Sequence, residues 1–288
     1  MLWLQLALMA ALCSAGNDAL TKRFFSDLSA FEMGFVRLLY AFPYLIIGLF
    51  LIPWPKLDCT FWVCIAVGLP LELAALMSYM RAIKVSPLSL TVPFLAFTPV
   101  FVIITGYLLL GEVLNLFGIL GISLIVIGSY VLNISHGKYG WFSPFKAIFL
   151  EQGSWLMLIT SFLYSFTATL GKLAIIHSSP QFFGAVYFIL FTLFLICLFP
   201  FMSKGKLFNL FKMPIPGIIS GLLVVGMIFS HTLAISLVEA AYMLSVKRTS
   251  LLIGVLFGAI FFKEEKIRER LLGTVIMMAG VVIIGIFG

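Results

Sequence analysis

The sequence predicts an all-α, polytopic membrane protein of ten transmembrane helices, built as two inverted five-helix repeats. Three observations carry that prediction. Of 288 residues, 62% are hydrophobic and 10% charged, with a mean hydropathy of +1.19; a soluble domain of this size needs far more polar surface. Apolar runs of about 20 residues recur along the whole chain, the length that crosses a hydrocarbon core of about 30 Å as a helix. The second half repeats the first at a nearly constant offset, with an odd number of spans in each. A β-barrel would show alternating segments of about ten residues, and nothing in this chain alternates.

Polar breaks divide the chain into spans at 2–20, 31–52, 61–80, 90–110, 117–134, 153–174, 182–202, 217–237, 241–262 and 271–287. The first has the length of a signal peptide. It lacks a basic leader, however, and it has a counterpart in the second half, so it counts as a span. The second, opening "FEMGFVRLLYAF", places Arg37 two turns inside. The third, "VGLPLELAALMSYM", carries Glu72 in mid-span, and Pro70 removes a backbone donor there and is expected to open the helix toward a cavity. The fourth contains Pro99, and the fifth ends on the sequon "NIS" at 133–135, read as chance. Lys172 and Thr169 stand near the end of the sixth. His231 sits centrally in the eighth, between Ser230 and Thr232. The ninth holds Lys247 and Arg248 about two turns in; helical neighbours point about 100° apart, so at least one of the two must face the protein interior. The spacings Gly217-xxx-Gly221 and Gly254-xxx-Gly258 permit close helix contact. The longest connections, 135–152 and 203–216, are rich in Lys, Gly, Pro and Ser and leave no room for a soluble domain.

An offset of 150 brings Lys22 onto Lys172, Ser29 onto Ser179, Gly34 onto Gly184 and Val36 onto Val186. An offset of 152 brings Ser78 onto Ser230, Ala82 onto Ala234, Glu112 onto Glu264, Gly121 onto Gly273 and Gly128 onto Gly280. The expected repeats are 1–136 and 150–288. With five spans each, the second must enter the membrane upside down relative to the first, the plan of secondary transporters whose halves rock about a central site.

Charge sets the orientation. Thirteen Lys and Arg residues follow spans 1, 3, 5, 7 and 9, against Lys56 and Lys172 on the other side. The positive-inside bias puts those loops in the cytoplasm and both termini outside, in the cell (inner) membrane. The net charge of +7 is thereby a topological signal rather than a nucleic-acid surface.

Two stretches, "PVFVIITGYLLLGEVLNLFGILGISLIVIG" (99–128) and "KRTSLLIGVLFGAIFFKEEKIRERLLGTVIMMAGVVIIG" (247–285), share one pattern: an apolar helix, a Glu at its end, a short loop, and a Gly-containing final helix. With "FEMGFVRLLYAF" (31–42) and "RAIKVSPLSLTVPF" (81–94), they give the chain a full-length resemblance to EamA-type members of the drug/metabolite transporter superfamily. The resemblance implies a ten-helix permease for small solutes, often an exporter, in a superfamily that handles amino acids, sugars, nucleotide derivatives and drugs. One departure is that Pro99 aligns with Leu251 and Arg37 with Tyr187, so these residues cannot serve both halves alike.

An ionisable side chain at the bilayer centre costs about 2.5–3.5 kcal/mol on insertion scales, so each one asks for a reason. Glu72 is too short to snorkel and is read as a site carboxylate that exchanges protons. His231, by the repeat the counterpart of Tyr79, is suited to proton exchange near neutrality. Arg37 stands five residues from Glu32, poorly spaced for an intrahelical pair, so it is free to reach another helix or an anionic substrate. Tyr79, Asn17, Lys172, Lys247 and Arg248 complete the candidate substrate-binding set, with Glu72 and His231 as proton-coupling residues. Each has a structural alternative: a protonated buried Glu, a core His, an interfacial cap. Glu112 and Glu264 are read as fold residues that accept bonds from the N-terminal amides of a neighbouring helix.

Cys13, Cys59, Cys64 and Cys197 lack CxxC spacing and read as small buried side chains. No HExxH, GxSxG or His/Cys cluster is present, so an embedded enzyme is disfavoured and neither cofactor nor metal is called for. A non-transporting sensor or scaffold is the other alternative. The expected partners are a small-molecule substrate and the lipid bilayer, with the chain a monomer or, alternatively, a dimer.

Overall fold

The computed structural model describes residues 1–85, 92–134, 152–203, 207–253 and 267–287. Among them all regular structure is helical: α1 (Leu2–Phe24), α2 (Ala30–Leu51), α3 (Cys59–Val85), α4 (Thr98–Leu110), α5 (Leu116–Ile134), α6 (Gln152–Ile176), α7 (Pro180–Met202), α8 (Pro214–Leu237), α9 (Ala240–Lys247) and α10 (Ile267–Phe287). Short 3₁₀ turns at Val92–Phe97 and Leu207–Phe211 precede α4 and α8. Five helices, α2, α3, α6, α7 and α8, are long and apolar enough to cross a membrane. The bundle also turns large apolar side chains outward, Phe50 85% and Phe201 86% exposed among them, as lipid permits and water does not.

Local chemistry explains the helix ends. Ser29 caps α2 in a reciprocal box: its Oγ accepts from the Glu32 amide, and the Glu32 carboxylate accepts from the Ser29 amide. Ser179 also caps α7, its Oγ accepting from the Phe182 amide without a returned bond, which explains why the two serines align in the repeat. Gly111 ends α4 at φ 69°, a left-handed residue that costs glycine little. Its amide and that of Glu112 bond back to the carbonyls of Tyr107 and Gly106.

Asp58 caps α3 by accepting from the Phe61 amide at 3.0 Å, and its other oxygen lies 2.6 Å from His177 Nδ1, tying two connections on one end of the bundle. The Phe61 amide, with His177 beside it, holds the Asp58 carboxyl below its ordinary range. A depressed carboxyl stabilises above its unfolded pKa of about 3.9 and loses that contribution as pH falls through the folded value. Asp58→Ala is therefore expected to melt below the parent at pH 7, and the gap should narrow as the pH falls below about 4. Parallel melting curves across that range would remove the assignment.

Three details differ from the sequence reading. The fourth span starts as a 3₁₀ turn, and its α-helix begins only at Thr98, because Pro99 sits in the first turn, where its missing donor costs nothing. Pro70 does not open α3, which is helical throughout; one absent donor in a helix of 27 residues is absorbed by its packing. The ninth span is interrupted, with a turn at Arg248–Thr249 and helical backbone again at 250–253. The Gly254/Gly258 spacing, Glu264 and the sequon's Ser135 lie outside the described residues.

In the packing, α3 lies along α6, α1 along α8, and α5 along α10. Glycines set the close approaches. Gly34 faces Leu76, and Gly184 faces Ile228. Gly221 meets the Tyr40 backbone between α8 and α2. Between α5 and α10, Gly121 lies against Gly280 and Gly128 against Gly273, so the two helices run antiparallel.

Candidate functional site

A cavity of about 270 Å³ lies between α1, α2, α3, α6, α7, α8 and α9. All eight residues singled out from sequence border it. Glu72 and Tyr79 come from α3, and Arg37 from α2. Asn17 comes from α1 and Lys172 from α6. His231 comes from α8, and Lys247 and Arg248 from the broken α9.

Their partners divide them into two groups. Arg37 is held by Asp18, with Nη1 2.6 Å from Oδ1, so it reaches α1 rather than Glu32, which is occupied as a cap. Lys172 ion-pairs with Glu112 and donates to the Val238 carbonyl at 2.6 Å. Asn17 accepts from Ser220 through its side chain, and its carbonyl accepts from Thr21. These three are engaged within the fold. Glu72, in contrast, faces the Thr167 hydroxyl and lies within electrostatic reach of Lys247. Lys247 Nζ stands 3.3 Å from His231 Nδ1 and 3.4 Å from Met227 Sδ. Among the described residues no carboxylate ion-pairs with Lys247 or Arg248, and Arg248 Nε is buried without a hydrogen-bond partner.

Glu112 performs the structural role assigned to it: Oε2 accepts the Ala240 amide, the first of α9, at 3.0 Å. The sequence supplies the means. Gly111 turns the chain back, and Gly106 leaves the space in which the carboxylate sits, since a Cβ there would lie 3.0 Å from Oε2. Asn115 then caps α5 through the Gly118 amide and donates to the Phe287 carbonyl, while the Tyr242 hydroxyl accepts the Asn115 amide. The knot fixes where α9 begins, and with it the depth of Lys247 and Arg248.

Sequence reasoning did not single out three wall residues, Tyr164, Thr167 and Tyr187. Tyr164 and Tyr79 lie within electrostatic reach of both Arg37 and Arg248. Tyr187, whose ring stacks on Phe183, has a buried hydroxyl without a hydrogen-bond partner. The one signal for Tyr187 was its alignment with Arg37; Tyr164 and Thr167 gave none. Among the described residues no group of His, Cys, Asp and Glu could hold a metal ion, and the four cysteines are free.

Comparison with known proteins bears on the family and the fold. The model of the EamA-like transporter family matches residues 1–134 and again 152–286. An uncharacterized transporter of Archaeoglobus fulgidus is 26% identical over 270 residues, 92% of this chain and 91% of its own. A crystal structure 13% identical in sequence superposes with a TM-score of 0.73 over 98% of this chain and 95% of its own, which is a likeness of fold.

Proposed function

Because the chain belongs to the EamA-like transporter family, we propose that it is a secondary transporter that carries a small metabolite or drug through the central cavity by alternating access. The observation that carries this reading is the meeting, in one cavity, of Glu72 from the first half with His231, Lys247 and Arg248 from the second. Ionisable groups are retained at such a place where a solute or ion replaces their lost hydration. A site walled by both halves can face either side in turn if the halves move as bodies.

The two halves are read as inverted repeats at 1–136 and 150–288. The matched contacts Gly34–Leu76 and Gly184–Ile228, and the antiparallel α5 and α10, support that reading. Both termini are placed outside and the basic loops in the cytoplasm of the cell membrane, on the charge bias alone. The chain acts as a monomer in this reading.

Proton exchange at Glu72, with His231 as the second titrating group, couples the solute to the proton gradient. Reconstituted into vesicles, the protein is expected to accumulate or release a solute from a metabolite mixture under an imposed pH gradient. Glu72→Gln should abolish the response to the gradient, a tenfold or greater loss of driven flux, while exchange of solute for solute persists. Flux indifferent both to the gradient and to Glu72→Gln would rule out the coupling and leave facilitated diffusion.

A further inference from the structure

We propose that the cavity takes a small organic anion, a carboxylate or a phosphate monoester, and takes it together with a proton. The inference rests on the transporter reading and adds the chemistry of the cargo. It follows from the balance of charges around the cavity. Among the described residues four cations border it. Two are neutralised within the fold, Arg37 by Asp18 and Lys172 by Glu112. The other two, Lys247 and Arg248, are adjacent in the chain and ion-pair with no carboxylate among the described residues. Against them, among the described residues, stands one lining acid outside those ion pairs, Glu72.

A guanidinium whose Nε is buried without a partner has given up hydration that nothing in the protein returns. A carboxylate or phosphate returns it with two parallel charge-assisted bonds, a geometry that a neutral or cationic solute cannot supply. The Tyr187 hydroxyl, also buried and unpartnered, offers a further donor on the same wall. At about 270 Å³ the cavity lies near the lower end of the roughly 300–1,000 Å³ usual for small-molecule sites, so the anion is small. Phe183 and Phe188 face it with apolar surface.

The proton follows from the sign of each titration. The groups that face the anion are Glu72 and Tyr79 on α3, Tyr164 on α6, Tyr187 on α7, His231 on α8 and the two cations at α9, together with Asp18, Arg37 and Lys172, which line the same cavity within their ion pairs. Protonation of Glu72 removes a negative charge, and protonation of His231 adds a positive one. Both strengthen attraction for an anion, so anion and proton bind together rather than compete. Under an inward proton gradient, cargo would travel inward, opposite to the export that the family resemblance implies.

The test is a melting-temperature shift of the purified full chain at pH 6 and pH 8. The probes are benzoate, succinate and glycerol phosphate, each set beside a neutral amide or alcohol and an amine of similar size. At least one anion is expected to raise the melting temperature in a saturable way, with a lower half-saturating concentration at pH 6 than at pH 8. Neutral and amine probes should give no shift. Arg248→Gln and Lys247→Gln should each raise the half-saturating concentration tenfold or more, and Arg248→Lys should recover part of it. Shifts confined to amines or neutral probes, shifts from no probe, or tighter anion binding at pH 8 would overturn the proposal. If vesicles of the same preparation still move a solute, the transporter reading stands and only the anion falls.

Discussion

Glu112→Ala is expected to cost roughly 3–5 kcal/mol of stability, the range seen when one partner of a buried ion pair is removed. Both members of the Glu112–Lys172 pair are about one-eighth exposed, at 12%. Loss of the carboxylate leaves Lys172 with only the Val238 carbonyl and strips the Ala240 amide of its acceptor. Three helices would feel the change at once: α4, which ends at the Gly111 turn; α6, which carries Lys172; and α9, whose first amide is involved. Glu112→Gln retains an acceptor for that amide and should cost less. The double variant Glu112→Ala/Lys172→Met should recover part of the loss, because no uncompensated cation is left buried. A denaturant titration in detergent reads all three. Because α9 presents Lys247 and Arg248 to the cavity, solute flux in the single variant should fall tenfold or more even where the protein still folds. A Glu112→Ala protein that unfolds with the parent would mean that the pair is solvated and contributes little.

Much of this was legible in the sequence, for a reason specific to membranes. When only 10% of residues are charged, each charge far from a helix end is costly enough to stand out by itself. That is how Arg37, Glu72, His231, Lys247 and Arg248 could be picked out before any fold was known, although they lie far apart in the chain. Glu112 was legible through its counterpart in the repeat, and Ser29 and Ser179 through theirs. The pairing of charges was not. Asp18, near the end of the first span, gave no sign of its partner, and nothing in spacing says that residues 19 apart on different helices meet. Tyr164 and Tyr187 were hidden by abundance, since aromatic residues make up 15% of the chain. The break at Arg248–Thr249 carries no Gly or Pro to announce it. It is a tertiary effect, seen locally as Thr249 bonding to Val246 and Leu251 to Arg248, three residues back in each case.

Leucine at Gly128 and leucine at Gly280 are expected to destabilise the protein by similar amounts, at or above the upper end of the roughly 1–3 kcal/mol typical of overpacking. A Cβ at Gly128 would lie 2.6 Å from the Met277 amide nitrogen and 2.7 Å from the Gly273 carbonyl oxygen. At Gly280 it would lie 3.0 Å from the Ile125 nitrogen and 2.6 Å from the Gly121 oxygen. The two environments are one environment written twice, because an offset of 152 converts 121, 125 and 128 into 273, 277 and 280. In both, the obstacle is backbone, which no rotamer change relieves, so α5 and α10 must separate. Lipid gives helices no hydrophobic reason to associate, and close approach through small residues supplies the contact instead. Gly48→Ala is the control: its nearest neighbour is a Phe229 ring carbon at 3.7 Å, and it should be neutral or stabilising. Denaturant titrations of the three variants give the comparison. Equal losses at the two interface glycines would add an energetic match to their matched contacts, as the inverted-repeat reading expects. A large loss at one with tolerance at the other would place the seam's strength in a single half and remove that support for the inverted reading.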